Sequence, residues 1–191
     1  MLGFHMPWMG SRSSPHVSAR AMIGVKPADS VLVVGASDGG LAADVALVTG
    51  LNGRTVVVDS AAGSQAGVDA AAAKAGALVE FLVAPATALP LDPGGFDVVI
   101  VLAASLPELG APSGVFDEAA RVTRPAGRVL FIEHLRKPGV RALRSKPAAP
   151  RLETATVCRL FEGAGLRSAR VLAEADGRRF YEAVKPRRDR T

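Results

Sequence analysis

The sequence predicts a single α/β domain built on a doubly wound sheet of seven mainly parallel strands, closed by a C-terminal antiparallel hairpin. Three observations carry that expectation. Apolar residues come in short continuous runs, such as Val31-Leu-Val-Val34 and Val98-Val-Ile-Val-Leu102, which is how strands covered on both faces read. The runs alternate with helix-forming stretches, the pattern of a parallel sheet with right-handed crossovers. The last two runs instead flank Ala175-Asp176-Gly177, a hairpin turn signal.

The elements follow in order. Residues 1–24 are expected to form an irregular N-terminal arm with Pro7 and Pro15, then a short helix over Ser18–Ile23 that Gly24 stops. The domain proper is expected over residues 25–186. Its first strand is Val31–Gly35 and its first helix runs from about Gly40 to Thr49. Asn52-Gly53 turns the chain into a second strand ending at Asp59. Gln65–Ala75 is a helix by propensity, and Leu78–Val83 the third strand. Asp92-Pro-Gly-Gly95 marks a turn before the fourth strand, Phe96–Leu102. A helix over Val115–Val122, closed by Pro125-Ala-Gly127, leads to a fifth strand over Arg128–Glu133. Glu153–Gly165 is the last helix, and Ala169–Ala173 with Arg179–Val184 form the hairpin. Residues 187–191 are a basic tail.

Composition narrows the function classes. A chain of 191 residues, 49% hydrophobic, holds one packed core rather than two. The single cysteine, Cys158, excludes an internal disulfide and a cysteine-based metal cluster. Among Val157, Leu160 and Phe161 it reads as a small core residue. Three dispersed histidines offer no metal-ligand spacing, and no metal is expected. No run approaches the ~18 apolar residues of a membrane helix, and the first residues lack the pattern of a signal peptide, so a cytoplasmic protein is expected. The net charge of +5 comes from Arg136, Lys137, Arg141, Arg144, Lys146 and Arg151, and from a tail of Lys185, Arg187, Arg188 and Arg190. No aromatic residues are interleaved with these charges, so base stacking is unsupported and nucleic acid is not an expected partner.

The most informative stretch is Val31–Gly40. A buried strand that turns sharply into a helix leaves backbone N–H groups and the positive helix end beside the turn. Glycine at Gly35 and Gly39 lets a ligand approach that backbone, which makes the turn a cradle for a nucleotide-like cofactor. Asp59 ends the second strand about twenty residues further on, where an acid can bond a ribose diol. In sheets of this kind the site lies at the C-terminal edge of the strands, where Glu133 and His134 also fall. A histidine titrates near neutrality, so His134 is the first candidate for a general base.

In order and spacing these segments resemble the class I S-adenosylmethionine-dependent methyltransferases, a Rossmann-like family, and most of all its small-molecule, quinone-biosynthesis-like branch. Val31–Gly40 resembles the glycine-rich first motif and Val56-Val-Val-Asp59 the second-strand motif. Leu89–Val99 and Ala119–His134 resemble the runs into the fourth and fifth strands, and Leu160–Leu166 with Arg179–Pro186 the last helix and strand. The resemblance implies S-adenosyl-L-methionine as cofactor and a small-molecule acceptor that is methylated. It assigns Gly35, Ala36, Ser37 and Gly39 to the amino-acid end of the cofactor and Asp59 with Ser60 to the ribose. Ala86 and Thr87 would face the adenine through backbone groups, with Leu102 beneath it. Glu133 and His134 would stand at the acceptor. The arm, with Phe4, His5, Met6, Trp8 and Met9, would suit a lid over a hydrophobic acceptor.

Three positions depart from the family pattern. Val33 stands where an acid commonly orients the amino-acid end, Ser37 replaces the middle glycine, and Pro85 stands where a carboxylate or amide commonly bonds the adenine amino group. They leave a second reading open, a methyltransferase-like binding module without turnover. Two other motifs point elsewhere. Gly35-Ala-Ser37-Asp-Gly39 matches the nucleophile elbow of α/β-hydrolases, but on the first strand, with no earlier strands to hold an oxyanion loop. Tyr181 and Lys185 have the tyrosine–lysine spacing of short-chain dehydrogenases, but on a terminal strand rather than a helix.

Overall fold

The computed structural model describes residues 16–105, 112–135 and 152–187. The arm residues Phe4 to Met9, the basic stretch Arg136–Arg151, and Arg188 and Arg190 of the tail lie outside them. Five helices and seven strands are described: α1 (Val17–Ile23), β1 (Ser30–Val34), α2 (Gly39–Thr49), β2 (Arg54–Asp59), α3 (Gln65–Ala75), β3 (Glu80–Val83), β4 (Phe96–Leu102), α4 (Pro112–Val122), β5 (Thr123–His134), α5 (Thr154–Gly163), β6 (Arg167–Ala175) and β7 (Arg178–Val184).

All seven strands join one sheet in the order β3-β2-β1-β4-β5-β7-β6. The first five are parallel, and β7 runs antiparallel between β5 and β6. Strand alternation sends β1 residues to two faces. Leu32 and Val34 join Val56, Val99, Phe131, Phe116 and Phe161 in the layer under α4 and α5. Val31 and Val33 join Ile100, Leu130, Ile23, Leu41 and Val68 in the layer under α1, α2 and α3. Both faces are covered, which is why the central strands are continuously apolar. Phe116 anchors the first layer, edge-on to Phe161 at 5.0 Å between centroids.

Polar side chains fasten the helices to this sheet. The Arg128 guanidinium donates to the carbonyls of Ile23 and Gly24 at the C-terminus of α1, and to Glu182. Lys185 Nζ donates to the carbonyls of Ala120 and Thr123, both at 2.7 Å, at the end of α4. Cations there are favoured by the helix dipole. Tyr181 is fully buried. Tyr181, on β7, and Lys185, directly after it, are therefore framework residues.

The hairpin between β6 and β7 turns on Asp176 (φ 51°) and Gly177 (φ 70°), the left-handed pair of a two-residue type I′ loop. The fifth strand begins five residues earlier than the sequence indicates, at Thr123 directly after α4. Pro125-Ala-Gly127 lies inside it as an irregularity, with the pairing register shifting between Phe96 and Val98. The sixth strand is also longer than expected, and it is bulged on the open edge of the sheet, a feature that discourages pairing with other chains. No described helix is long and apolar enough to cross a membrane.

Candidate functional site

The parallel strands bring the predicted residues to one edge. Val34 pairs in register with Val58 on one side and Val101 on the other. The ends of β2, β1 and β4 therefore lie side by side beneath the turn that opens α2. Gly35 holds φ 96° there, a conformation that costs any other residue strain. Its N–H donates to the Val58 carbonyl at 2.7 Å, tying the turn to β2. Gly39 also serves the packing of the helices. A Cβ on it would come within 3.1 Å of the Gly67 carbonyl and 3.2 Å of Val68 Cα, so glycine there lets α2 lie against α3.

Asp59 is the centre of this edge. The residue is 7% exposed. Oδ2 accepts the Ala36 N–H at 2.6 Å and Oδ1 the Ala61 N–H at 2.8 Å. The acid thus clips the glycine turn to the end of β2. A carboxylate offers about four acceptor positions, so one further hydrogen bond on each oxygen matches the two hydroxyls of a ribose diol. This chemistry fits the cofactor implied by the resemblance. Ser60 is exposed beside Asp59. The Asp59 carbonyl accepts the Ala84 N–H, which carries the segment after β3 past the same spot. In that segment Ala86 is buried and Thr87 exposed, with the Thr87 side chain beside Gly114 of α4. The Pro85 carbonyl accepts the Ala88 N–H at 3.1 Å. Leu102 ends β4 next to Ile132 and is buried in the α1–α3 layer.

The two residues at the end of β5 point to opposite faces. Glu133 lies 4% exposed, with Oε1 accepting the Leu152 N–H and Oε2 accepting from the Tyr181 hydroxyl at 3.2 Å. Both oxygens are used to fix where the chain rejoins the body after residue 151. Sequence reasoning placed Glu133 at the acceptor; in the structure its carboxylate holds Leu152 and Tyr181. His134 is exposed, on the face shared with Leu130, Ile132 and α2. Partial burial and the neighbouring Arg178 guanidinium hold its pKa below the ordinary histidine value, with Asp38 pulling the other way.

A polar cluster that sequence reasoning did not find joins this edge. Asp38 caps α2, its Oδ1 accepting the Leu41 N–H at 3.0 Å. Its Oδ2 accepts from Arg178 Nη2 at 2.7 Å, and His16 Nε2 lies 3.3 Å from Oδ1. Arg178 pairs across the strands with His134. His16, read from the sequence as a helix-start residue only, is buried at 9% exposure between Asp38 and Arg178. The one local signal was Asp38 at a helix start; nothing local announces a partner in the last strand.

Ser37 is exposed in the turn. Asp59 accepts backbone N–H groups on both oxygens, and the acid–imidazole pair at the turn, Asp38 and His16, is engaged by Arg178, whereas a nucleophilic serine needs a base oriented toward its own hydroxyl. A fluorophosphonate probe is expected to leave the protein unlabelled. Stoichiometric labelling lost in Ser37→Ala would make Ser37 a nucleophile after all.

Comparison with known proteins agrees with this geometry. The family described as a methyltransferase domain matches residues 31–127, more than half of the 191 residues. No curated protein matches in sequence. Among solved structures, a SAM-dependent methyltransferase from Aquifex aeolicus shares 21% identity with a TM-score of 0.72, covering 89% of this chain and 88% of its own. A Bacillus halodurans protein described as a methyltransferase shares 16% identity with a TM-score of 0.70, covering 91% of this chain and 100% of its own. A Haloferax volcanii methyltransferase, solved with the activator Trm112, shares 18% identity with a TM-score of 0.67, covering 93% and 92%. The chain belongs to the methyltransferase-domain family, the class I S-adenosylmethionine-dependent enzymes, and has their seven-stranded fold.

Proposed function

We propose that the protein transfers the methyl group of S-adenosylmethionine to a small-molecule acceptor. One observation carries the placing of the cofactor: the Asp59 carboxylate is clipped to the glycine turn, with one acceptor position left on each oxygen. In this reading Gly35, Ala36, Ser37 and Gly39 shape the amino-acid end, with Gly39 acting through the α2–α3 contact. Asp59 and Ser60 hold the ribose, Ala86 and Thr87 flank the adenine, and Leu102 lies beneath. The cofactor supplies an electrophilic methyl group on a sulfonium. The protein's part is then to hold donor and acceptor in line, since positioning supplies much of the acceleration in such a displacement. His134 removes a proton from an acceptor that must lose one, and Glu133 positions the chain that returns at Leu152. The small-molecule class rests on the resemblance to the quinone-biosynthesis branch and on the lack of aromatics among the basic residues. Calorimetric titration with S-adenosylmethionine and S-adenosylhomocysteine tests the cofactor assignment, with saturable one-to-one binding expected. A methyl-transfer screen over small-molecule acceptors tests the rest.

A binding module without turnover draws support from Pro85. Proline has no N–H and no polar side chain, and its carbonyl already accepts from Ala88. Pro85→Asp is expected to tighten S-adenosylhomocysteine binding several-fold, about 0.5–1.5 kcal/mol for one restored hydrogen bond. An analogue lacking the adenine amino group should show no gain. Binding without transfer to any screened acceptor would favour the module.

A further inference from the structure

The departure at position 33 is sharper in the structure than in the sequence. Val33 is fully buried in the layer under α1, α2 and α3, so β1 presents no acid to the amino-acid end of a cofactor. A different acid lies three residues beyond Gly35, and it comes with a cation. Asp38 and Arg178 are bonded at 2.7 Å, with side chains only 18% and 12% exposed. The bond joins the glycine turn to the first residue of β7, which the two-residue hairpin loop delivers to the C-terminal edge of β5.

The amino-acid end of S-adenosylmethionine is a zwitterion, an ammonium beside a carboxylate. An Asp–Arg pair is its electrostatic complement, each ligand charge meeting the opposite sign while the cluster keeps its overall charge. The atoms allow it. Among the described residues Asp38 Oδ2 accepts from Arg178 alone, whose hydrogen bonds use Nη2 toward Asp38 and Nη1 toward His16. A guanidinium has five N–H donors in a fixed fork suited to carboxylates, so Arg178 can take a carboxylate without releasing Asp38. His16 holds the pair from the side of α1. Resting on the cofactor assignment above, we propose that Asp38 and Arg178 bind the ammonium and carboxylate of the cofactor's amino-acid end, in place of the acid that β1 lacks at Val33.

The test compares two ligands on the full-length protein by calorimetry: S-adenosylhomocysteine, and 5′-methylthioadenosine, which shares its adenosine and thioether but has no amino-acid end. Wild type is expected to prefer S-adenosylhomocysteine by at least about tenfold, and Arg178→Gln to cut that preference to within about threefold, through loss of a charge-assisted bidentate contact. Arg178→Lys, which keeps the charge without the fork, should fall between them and serves if Arg178→Gln does not fold. A preference unchanged in both variants, or equal weakening of both ligands, makes Arg178 a framework residue and overturns the proposal. Failure of wild type to bind either ligand instead overturns the cofactor assignment itself.

Discussion

Asp59→Asn is expected to weaken S-adenosylhomocysteine binding by about ten- to a hundredfold, the equivalent of about 1.5–3 kcal/mol for hydrogen bonds to a charged acceptor. The structure makes asparagine the informative variant. The Asp59 carboxylate also accepts from Ala36 and Ala61, so alanine would strand two partly buried N–H groups and loosen the glycine turn, mixing lost folding stability with lost binding. Asparagine keeps the shape and one carbonyl acceptor but removes the charge. Calorimetry gives the affinity and thermal unfolding the stability of each variant. The expected pattern is a large affinity loss for asparagine with a loss of Tm smaller than alanine's, since its amide nitrogen leaves one of the two N–H groups unpaired and alanine leaves both. Unchanged affinity at unchanged Tm would remove Asp59 from the site.

His134→Gln is expected to lower kcat by about 10²–10⁴-fold, the usual worth of a positioned general base, with cofactor affinity unchanged. The measurement uses whichever acceptor a screen with methyl-labelled cofactor identifies. The pH dependence has a definite sign. The imidazole is useful only when unprotonated, and burial together with Arg178 holds its pKa below the ordinary 6.5. Activity should therefore persist from neutrality down past that value and be lost only as the pH falls through the lowered pKa. His134→Gln should abolish that limb. Titration of the imidazole by NMR checks the direction, since Arg178→Gln should raise it by removing a nearby positive charge. An ordinary or raised value in wild type would contradict the electrostatics described here. A kcat unmoved by the substitution would leave His134 outside the chemistry.

Much of the fold was legible because its determinants are local. Continuous valine runs announced strands covered on both faces, and Asp176-Gly177 announced the hairpin loop. What was misjudged came from tertiary context. Pro125-Ala-Gly127 has the composition of a turn, yet it lies within β5 because the strand absorbs an irregularity beside Phe96. β6 has an exposed, charged pattern that hides its length, since an edge strand need not be apolar on both faces. At the site, the glycine turn and Asp59 were readable by spacing. Gly39 was read as an opening for a ligand, and its second role, giving α3 room beside α2, has no local signal. Glu133 looked like His134 because both end the same strand, and only the alternation of faces and the bond to Leu152 separate them. His16, Asp38 and Arg178 escaped notice because their meeting is made by the fold and by no local pattern.

That meeting bears on how the protein is born. Asp38 and Arg178 stand 140 positions apart in the chain, and the strand that carries Arg178 is the last of the described strands in chain order, yet it slots between β5 and β6 rather than adding at the rim. Contacts of such separation close late, after the loop entropy between them has been overcome. The glycine turn can form as soon as β1 and β2 have emerged from the ribosome, but its Asp38 stays unlatched until the 140 positions between it and Arg178 have left the exit tunnel. A chain cut short before Arg178 would carry the first motif intact and still lack the fastening that completes it.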